Sequence, residues 1–286
     1  MYGKIYRRIR SGNGIKEEIV TYSFQSVYFD RDIVDGRVID IFIPDRIIRK
    51  EAVFFVHGGG WRAGTRASYH KVMEAFNKEG FICAATDYRL SNVNILDQIT
   101  DVRHGYEIFA GILADSGMSP VRIFVNGSSA GAHLAALLTM AMPGECGEST
   151  SYGDYTLQDK WIRPIGASLH APPVTFEPWE DIFSQIWTSM QNIVGVPYDE
   201  KPELYRNVSP VNYLSKQTPP IFLLGAENEH LFPLKHNLEF AAKAKSLGCR
   251  VEYKVYNSVE HGFFYGVTRR QQKEAFSDVI SFIESL

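Results

Sequence analysis

The sequence predicts an α/β fold: a mostly parallel, twisted sheet with helices on both faces and a short cap insertion. Two observations predict it. Short apolar runs of strand type alternate with stretches of helical period along most of the 286 residues, and brief connections join them, the pattern of repeated βα units. Two of the apolar runs also end directly in glycine-containing turns.

Residues 18–30 and 36–43 read as two antiparallel strands joined by a turn around Asp35 and Gly36. Residues 52–56 form a short continuous apolar run, as a strand buried on both faces requires, ending at His57. Residues 68–78 have helical spacing and stop at Gly80; residues 81–87 are the next strand. Residues 96–114 form a long amphipathic helix. The strand 121–126 runs straight into a serine turn, and the small-residue helix 130–140 follows it, ended by Pro143 and Gly144. Strands at 164–170, 221–225 and 251–256, and helices at 233–247 and 268–286, complete the series.

Two stretches break the alternation. Residues 144–159 are polar and rich in Gly, Ser and Thr, and read as a surface loop. Residues 172–215 carry Pro178, Pro197, Pro202 and Pro210 and an aromatic segment from Trp179 to Trp187. They hold too few periodic apolar positions to build a core, so they read as a cap-like insertion within one domain spanning 1–286.

Composition narrows the function classes. A formal net charge of −3 gives no electrostatic case for nucleic acid or an anionic membrane surface. No apolar region follows Arg7, Arg8 and Arg10, and no apolar run is long enough to span a bilayer. Cys83, Cys146 and Cys249 are far apart and form no C-x-x-C or zinc pattern. The expectation is a reduced, cytoplasmic protein without metal or cofactor.

The chemistry lies in three places. Gly127-Ser128-Ser129-Ala130-Gly131 has the G-x-S-x-G form of a nucleophile elbow, a sharp strand-to-helix turn that presents a serine. A serine hydroxyl is a weak nucleophile until a base takes its proton, and only Ser129 has the required glycine on each side. His57-Gly58-Gly59-Gly60-Trp61 follows the strand 52–56; bare glycine backbone lets N–H groups approach a developing oxyanion. Gly59, Gly60 and Ala130 are the candidate donors. A phosphate-binding loop is the other use of such glycines, but there is no G-K-[ST] or G-x-G-x-x-G. His261, in Glu260-His261-Gly262-Phe263, is the candidate base.

The other histidines read differently. His57 reads as structural and His133 as a packed helix residue; His70 and His104 read as surface or supporting groups, and His170 as packed at a strand end. Asp87 reads as an ion-pair partner and Asp101 as a surface residue. Trp61, Trp179 and Trp187 are candidates for the substrate pocket. The orienting acid should follow the strand 221–225, where no aspartate occurs; Glu227 and Glu229 flank Asn228.

From about Val53 to the C-terminus the chain resembles the α/β-hydrolase superfamily, and within it the HGGGW-type esterases and lipases related to hormone-sensitive lipase and to kynurenine formamidase-like enzymes. The matching pieces are residues 57–61, Asp87-Tyr88-Arg89-Leu90, the serine turn with His133-Leu134-Ala135, Ser209-Pro210-Val211 before Pro219-Pro220, and His261-Gly262-Phe263. The resemblance implies an aspartate in a G-x-x-D-x-x-x-P arrangement. Counted from Gly225 that position is Asn228; counted back from Pro233 it is Glu229. The second count keeps a carboxylate, so Glu229 is the assignment, with Asn228 and Glu227 the alternatives.

The expected activity is hydrolysis of carboxylic esters with short acyl groups or small substrates, through an acyl-enzyme on Ser129. Opening of an N-formyl or aryl amide, deacetylation of a sugar ester, and non-catalytic binding on a hydrolase fold are the rival readings. The expected partner is a small-molecule ester or amide. Relatives often pair through the sheet edge or the last helix, which leaves a homodimer as an option.

Overall fold

The computed structural model describes residues 22–28, 37–152, 155–156 and 161–286. Strands β1 (Tyr22–Tyr28) and β2 (Val38–Pro44) pair antiparallel, with Tyr22 opposite Pro44. The turn expected around Asp35 and Gly36 lies outside the described residues, as do Arg7, Arg8 and Arg10. β3 (Ala52–Val56), α1 (His70–Lys78), β4 (Ile82–Thr86), α2 (Ile95–Asp115), β5 (Ile123–Ser128) and α3 (Ala130–Met140) follow. The short antiparallel pair β6 (Ser151–Tyr152) and β7 (Tyr155–Thr156) precedes β8 (Gly166–His170), α4 (Ser184–Val194) and α5 (Pro202–Asn207). The chain ends through β9 (Ile221–Asn228), α6 (Leu234–Ser246), β10 (Val251–Glu260) and α7 (Arg270–Glu284).

Eight strands form one sheet in the order β1-β2-β4-β3-β5-β8-β9-β10. β2 meets β1 and β4 antiparallel, and the remaining pairs are parallel. The expected mostly parallel, two-sided α/β architecture is therefore what the chain adopts.

β3 shows why the apolar runs are continuous. Ala52, Phe54 and Val56 enter the core on one face, with Tyr106 and Phe109 of α2 and Leu134 of α3. Val53 and Phe55 enter the core on the other, with Phe76 of α1 and Phe282 of α7. Side chains alternate between faces with period two, so a strand covered on both sides must be apolar at every position. Burying each of these phenylalanines contributes about 1.5–3 kcal/mol.

Local signals set the helices. Asn94 caps α2: its side chain accepts the N–H groups of Leu96 and Asp97, while Asp97 accepts the Asn94 N–H. α3 is buried along its whole length, and its small residues let it lie close beneath β5 and β8.

Two surface expectations need correction, and the reading of His104 as surface or supporting is narrowed. Asp101 is fully buried, with Oδ1 3.1 Å from Arg37 Nη2 and Oδ2 2.8 Å from Arg89 Nε. His104 is buried on the same helix. α2 is thus enclosed on more than its apolar stripe, and its polar groups are kept inside by partners distant in sequence. The stretch 144–159 is not simply a surface loop either. Glu148 is buried and accepts from Arg103 Nε at 2.6 Å and from the Gly144 and Cys146 N–H groups. A buried guanidinium needs such a counter-charge, and that need draws the loop inward.

Candidate active site

The serine turn is a backbone solution before it is a chemical one. Ser129 sits between β5 and α3 at φ 56°, ψ −125°, a sparsely populated region that costs on the order of 1–3 kcal/mol. Two glycines make the turn sterically open. A Cβ on Gly127 would lie 2.4 Å from the Gly131 carbonyl oxygen, and one on Gly131 would lie 2.2 Å from the Val56 carbonyl oxygen. The conformation is pinned from both sides: the Ser129 N–H donates to the His170 carbonyl at 2.9 Å, and the Ser129 carbonyl accepts the His133 N–H at 3.0 Å.

Parallel pairing of β9 and β10 brings His261 and Glu229 together. A register irregularity between Tyr256 and Glu260 aligns Glu260 with Asn228, so His261 and Glu229 leave the sheet side by side. The strands run further than their apolar cores, which is why the sequence pattern stopped at 225 and 256. Ser129 Oγ donates to His261 Nε2 at 2.7 Å, and His261 Nδ1 donates to Glu229 Oε2 at 2.7 Å. The Glu229 side chain is fully withdrawn from solvent, and its Oε1 accepts the N–H groups of Leu231 and Phe232. Burial alone would raise this carboxyl; the His261 hydrogen bond and charge, with those two N–H groups, outweigh it and hold Glu229 below the usual range.

The alternative acids are occupied elsewhere. Glu227 Oε2 accepts the Ser258 N–H at 2.7 Å, supporting the positive-φ residue in the β10 irregularity. Asn228 lines a polar cavity together with His261, but it is Glu229 that His261 Nδ1 bonds.

The glycine loop is held by rings. His57 stacks on Tyr88 at 4.3 Å and donates from Nδ1 to the Gly58 carbonyl at 2.9 Å. Tyr88 donates to the His57 carbonyl at 2.9 Å, and Asp87 accepts from Arg66. Among the described residues no group accepts the N–H of Gly59, Gly60 or Ala130; Ala130 opens α3, where a helix leaves its first N–H groups unpaired. These groups can receive negative charge.

A cavity of about 370 Å³ opens beside Ser129, lined mainly by Trp61, Ile186, Ser189, Leu231, Phe232 and Tyr265. Trp61 is largely core: its indole N–H donates to His133 Nδ1 at 3.3 Å and its ring packs on Phe176. Trp179 and Trp187 do not line this cavity. Trp187 packs on Tyr198 and Tyr205, and Trp179 on His236. Ile186 and Ser189, three apart on α4, share one face; Trp187 stands about 100° round the helix and turns to the aromatic cluster. Tyr265 was also missed. It lies four residues after His261 in an aromatic run, and no sequence signal says where its hydroxyl goes.

A second, larger cavity of about 610 Å³ adjoins the same loop, lined by polar groups including Lys71, Asn228, Glu260, Arg269 and Gln272. His261, Gly262 and Tyr265 border both cavities. Among the described residues no group of three His, Cys, Asp or Glu side chains is placed to hold a metal ion, and no helix is long and apolar enough to cross a membrane.

The buried histidines around the site make it acid-sensitive. Burial pushes His133 down to about 4 and His170 down to about 3. The unfolded chain therefore binds protons near pH 6.5 that the folded chain refuses, so stability falls as pH drops from 6.5 towards 4, by roughly 1.4 kcal/mol per pH unit and per ring. Denaturant titrations across this range are expected to give that slope, reduced by one ring in His170→Phe. An unchanged slope in the variant would remove His170 from the account.

A family model, BD-FAE, matches residues 39–244. Isoprenylcysteine alpha-carbonyl methylesterase ICME of Arabidopsis thaliana is 28% identical over 279 residues, covering 93% of this chain and 65% of that protein. An acetylxylan esterase of Xylanibacter ruminicola is 23% identical over 249 residues, covering 86% of this chain and 47% of that protein. The chain thus spans about half to two thirds of the length of these curated relatives. The structure of Thermogutta terrifontis esterase 2 phosphonylated by sarin superposes with a TM-score of 0.72 at 22% identity, covering 88% of this chain and 91% of that one. That likeness concerns the fold.

Proposed function

The chain belongs to the BD-FAE family, an α/β-hydrolase esterase family, and we propose that it hydrolyses carboxylic esters through an acyl-enzyme on Ser129. The hydrogen-bonded series Ser129–His261–Glu229, at 2.7 Å in each step, carries this reading. Ser129 Oγ attacks the acyl carbon as its proton passes to His261 Nε2. The N–H groups of Gly59, Gly60 and Ala130 receive the oxyanion, each such donor being worth roughly 3–4 kcal/mol. His261 then gives the proton to the leaving alcohol oxygen. Water attacks the acyl-enzyme, losing a proton to His261, which returns it to Ser129 Oγ as the acid departs. Glu229 stays ionised throughout, holding the imidazole and stabilising its charged form.

The two cavities divide the substrate. The 370 Å³ cavity beside Ser129, with Trp61, Ile186, Leu231 and Phe232, suits a short acyl group. The general acid must reach the leaving oxygen, so the alcohol half lies against His261, beside the polar 610 Å³ cavity. Residues 172–215, which supply Ile186 and Ser189, act as a cap on a single hydrolase domain. This division favours a small acyl group on a polar alcohol, in keeping with the acetylxylan esterase among the relatives.

Turnover of aryl acetate, butyrate and octanoate with a common leaving group tests the division. The acetate and butyrate are expected to exceed the octanoate in kcat/KM by at least about tenfold. An octanoate preference would sink the short-acyl reading, and faster deformylation of N-formylkynurenine than hydrolysis of the acetate would make the enzyme an amidase.

A further inference from the structure

We propose that Tyr265 is a positioning residue for the oxyanion loop, tying that loop to the segment that carries His261; the proposal rests on the esterase reading above. The Gly58 N–H donates to Tyr265 Oη at 2.8 Å. Gly58 is the hinge of the glycine loop, because its two peptide groups set where the next N–H points. The peptide before it is held at its oxygen by Tyr88 and at its nitrogen by Tyr265. The peptide after it is held at its oxygen by His57, and peptide planarity then aims the Gly59 N–H in the opposite direction. Without the Tyr265 hydroxyl, the first of these peptides loses one of its two restraints.

The surroundings make that restraint specific. A Cβ on Gly58 would lie 2.6 Å from the Ser128 carbonyl oxygen, 2.8 Å from Tyr265 Oη and 3.1 Å from Ser129 Cβ, so the loop lies directly against the nucleophile strand. The Tyr265 ring packs on the buried Tyr69 at 4.8 Å, which holds the hydroxyl in place. Burial pushes the phenol up, so at neutral pH it is an uncharged hydroxyl that accepts the N–H without placing a second negative charge near the oxyanion. Tyr265 and His261 are four residues apart on one short loop, so the same segment presents the base and steadies the oxyanion donors.

An oxyanion interaction is felt in the transition state and not in the ground state, so its loss lowers kcat and leaves KM in place. Tyr265→Phe keeps the ring and removes the hydroxyl. With active sites counted by phosphonate titration, the variant is expected to lose about tenfold in kcat, less than the 10²–10³ lost with a direct donor, with little change in KM. Affinity for phenylboronic acid, which forms a tetrahedral adduct in the same site, should fall by a similar factor. Unchanged kcat and boronate affinity would overturn the proposal. So would a rise in KM at constant kcat, which would make Tyr265 only a wall of the substrate cavity. Wild-type turnover of an aryl acetate and its dependence on Ser129 report separately on the esterase reading.

Discussion

Ser129→Ala is expected to lower ester turnover by about 10⁶, to the level that the remaining donors and substrate binding can sustain. The size follows from what the hydroxyl does. In the proposed mechanism its oxygen bonds to the acyl carbon and its proton is the one His261 moves; without it, His261 would have no proton to take at 2.7 Å and no acyl-enzyme would form. The substitution is mild for the fold. Alanine and serine meet the same penalty at φ 56°, and the Ser129 N–H and carbonyl keep their bonds to His170 and His133, so the thermal midpoint should stay within a few degrees. Two further readouts report the chemistry, while the thermal midpoint reports the fold. Steady-state hydrolysis of an aryl acetate should all but vanish, and mass spectrometry after phosphonate treatment should show an adduct on the wild type and none on the variant. The neighbouring Ser128, buried at the end of β5, is the control. Turnover that survives Ser129→Ala and disappears in Ser128→Ala would move the nucleophile by one residue.

What the sequence made legible were the features enforced by local geometry. A strand covered on both faces has to be apolar throughout, so residues 52–56 announced themselves. The serine turn has to lack a Cβ at Gly127 and Gly131, where the space is taken by backbone, so its glycines are a steric signature. What stayed hidden depends on which way a side chain faces, or on partners far along the chain. Ile186 and Trp187 are adjacent in sequence, yet only Ile186 lines the cavity, because one step along a helix is about 100° of rotation. Asp101 looked like a surface acid because its partners Arg37 and Arg89 lie 64 and 12 residues away, outside its own helix. Tyr265 reaches Gly58 across 207 residues. The acid loop was ambiguous for a related reason: two counts through 225–233 gave different residues, and the choice depends on where β9 ends relative to β10.

That ambiguity sets up the second large effect. Glu229→Gln is expected to lower kcat by about 10⁴, the loss seen when a triad acid becomes its amide in a serine protease. Glutamine has the same shape and can still accept the Leu231 and Phe232 N–H groups. At His261 Nδ1 it fails, because its amide nitrogen is a donor: it favours the tautomer with the proton on Nε2, where the imidazole can no longer take the Ser129 proton. Glu227→Gln removes the neighbouring charge but keeps an acceptor for the Ser258 N–H, so its kcat should stay within about twofold of wild type, as for an ordinary surface change. The same pair separates the pH dependence. Glu229 is held below the usual carboxylate range by His261 and two N–H groups. A depressed carboxyl adds stability that is present above its unfolded value and is lost as pH falls through its folded value. Glu229→Gln should therefore remove part of the acid-side loss of stability, while Glu227→Gln should leave it in place. A larger kcat loss in Glu227→Gln than in Glu229→Gln would transfer the acid role to Glu227, and would mean that the 2.7 Å contact between His261 and Glu229 is not the one that works during turnover.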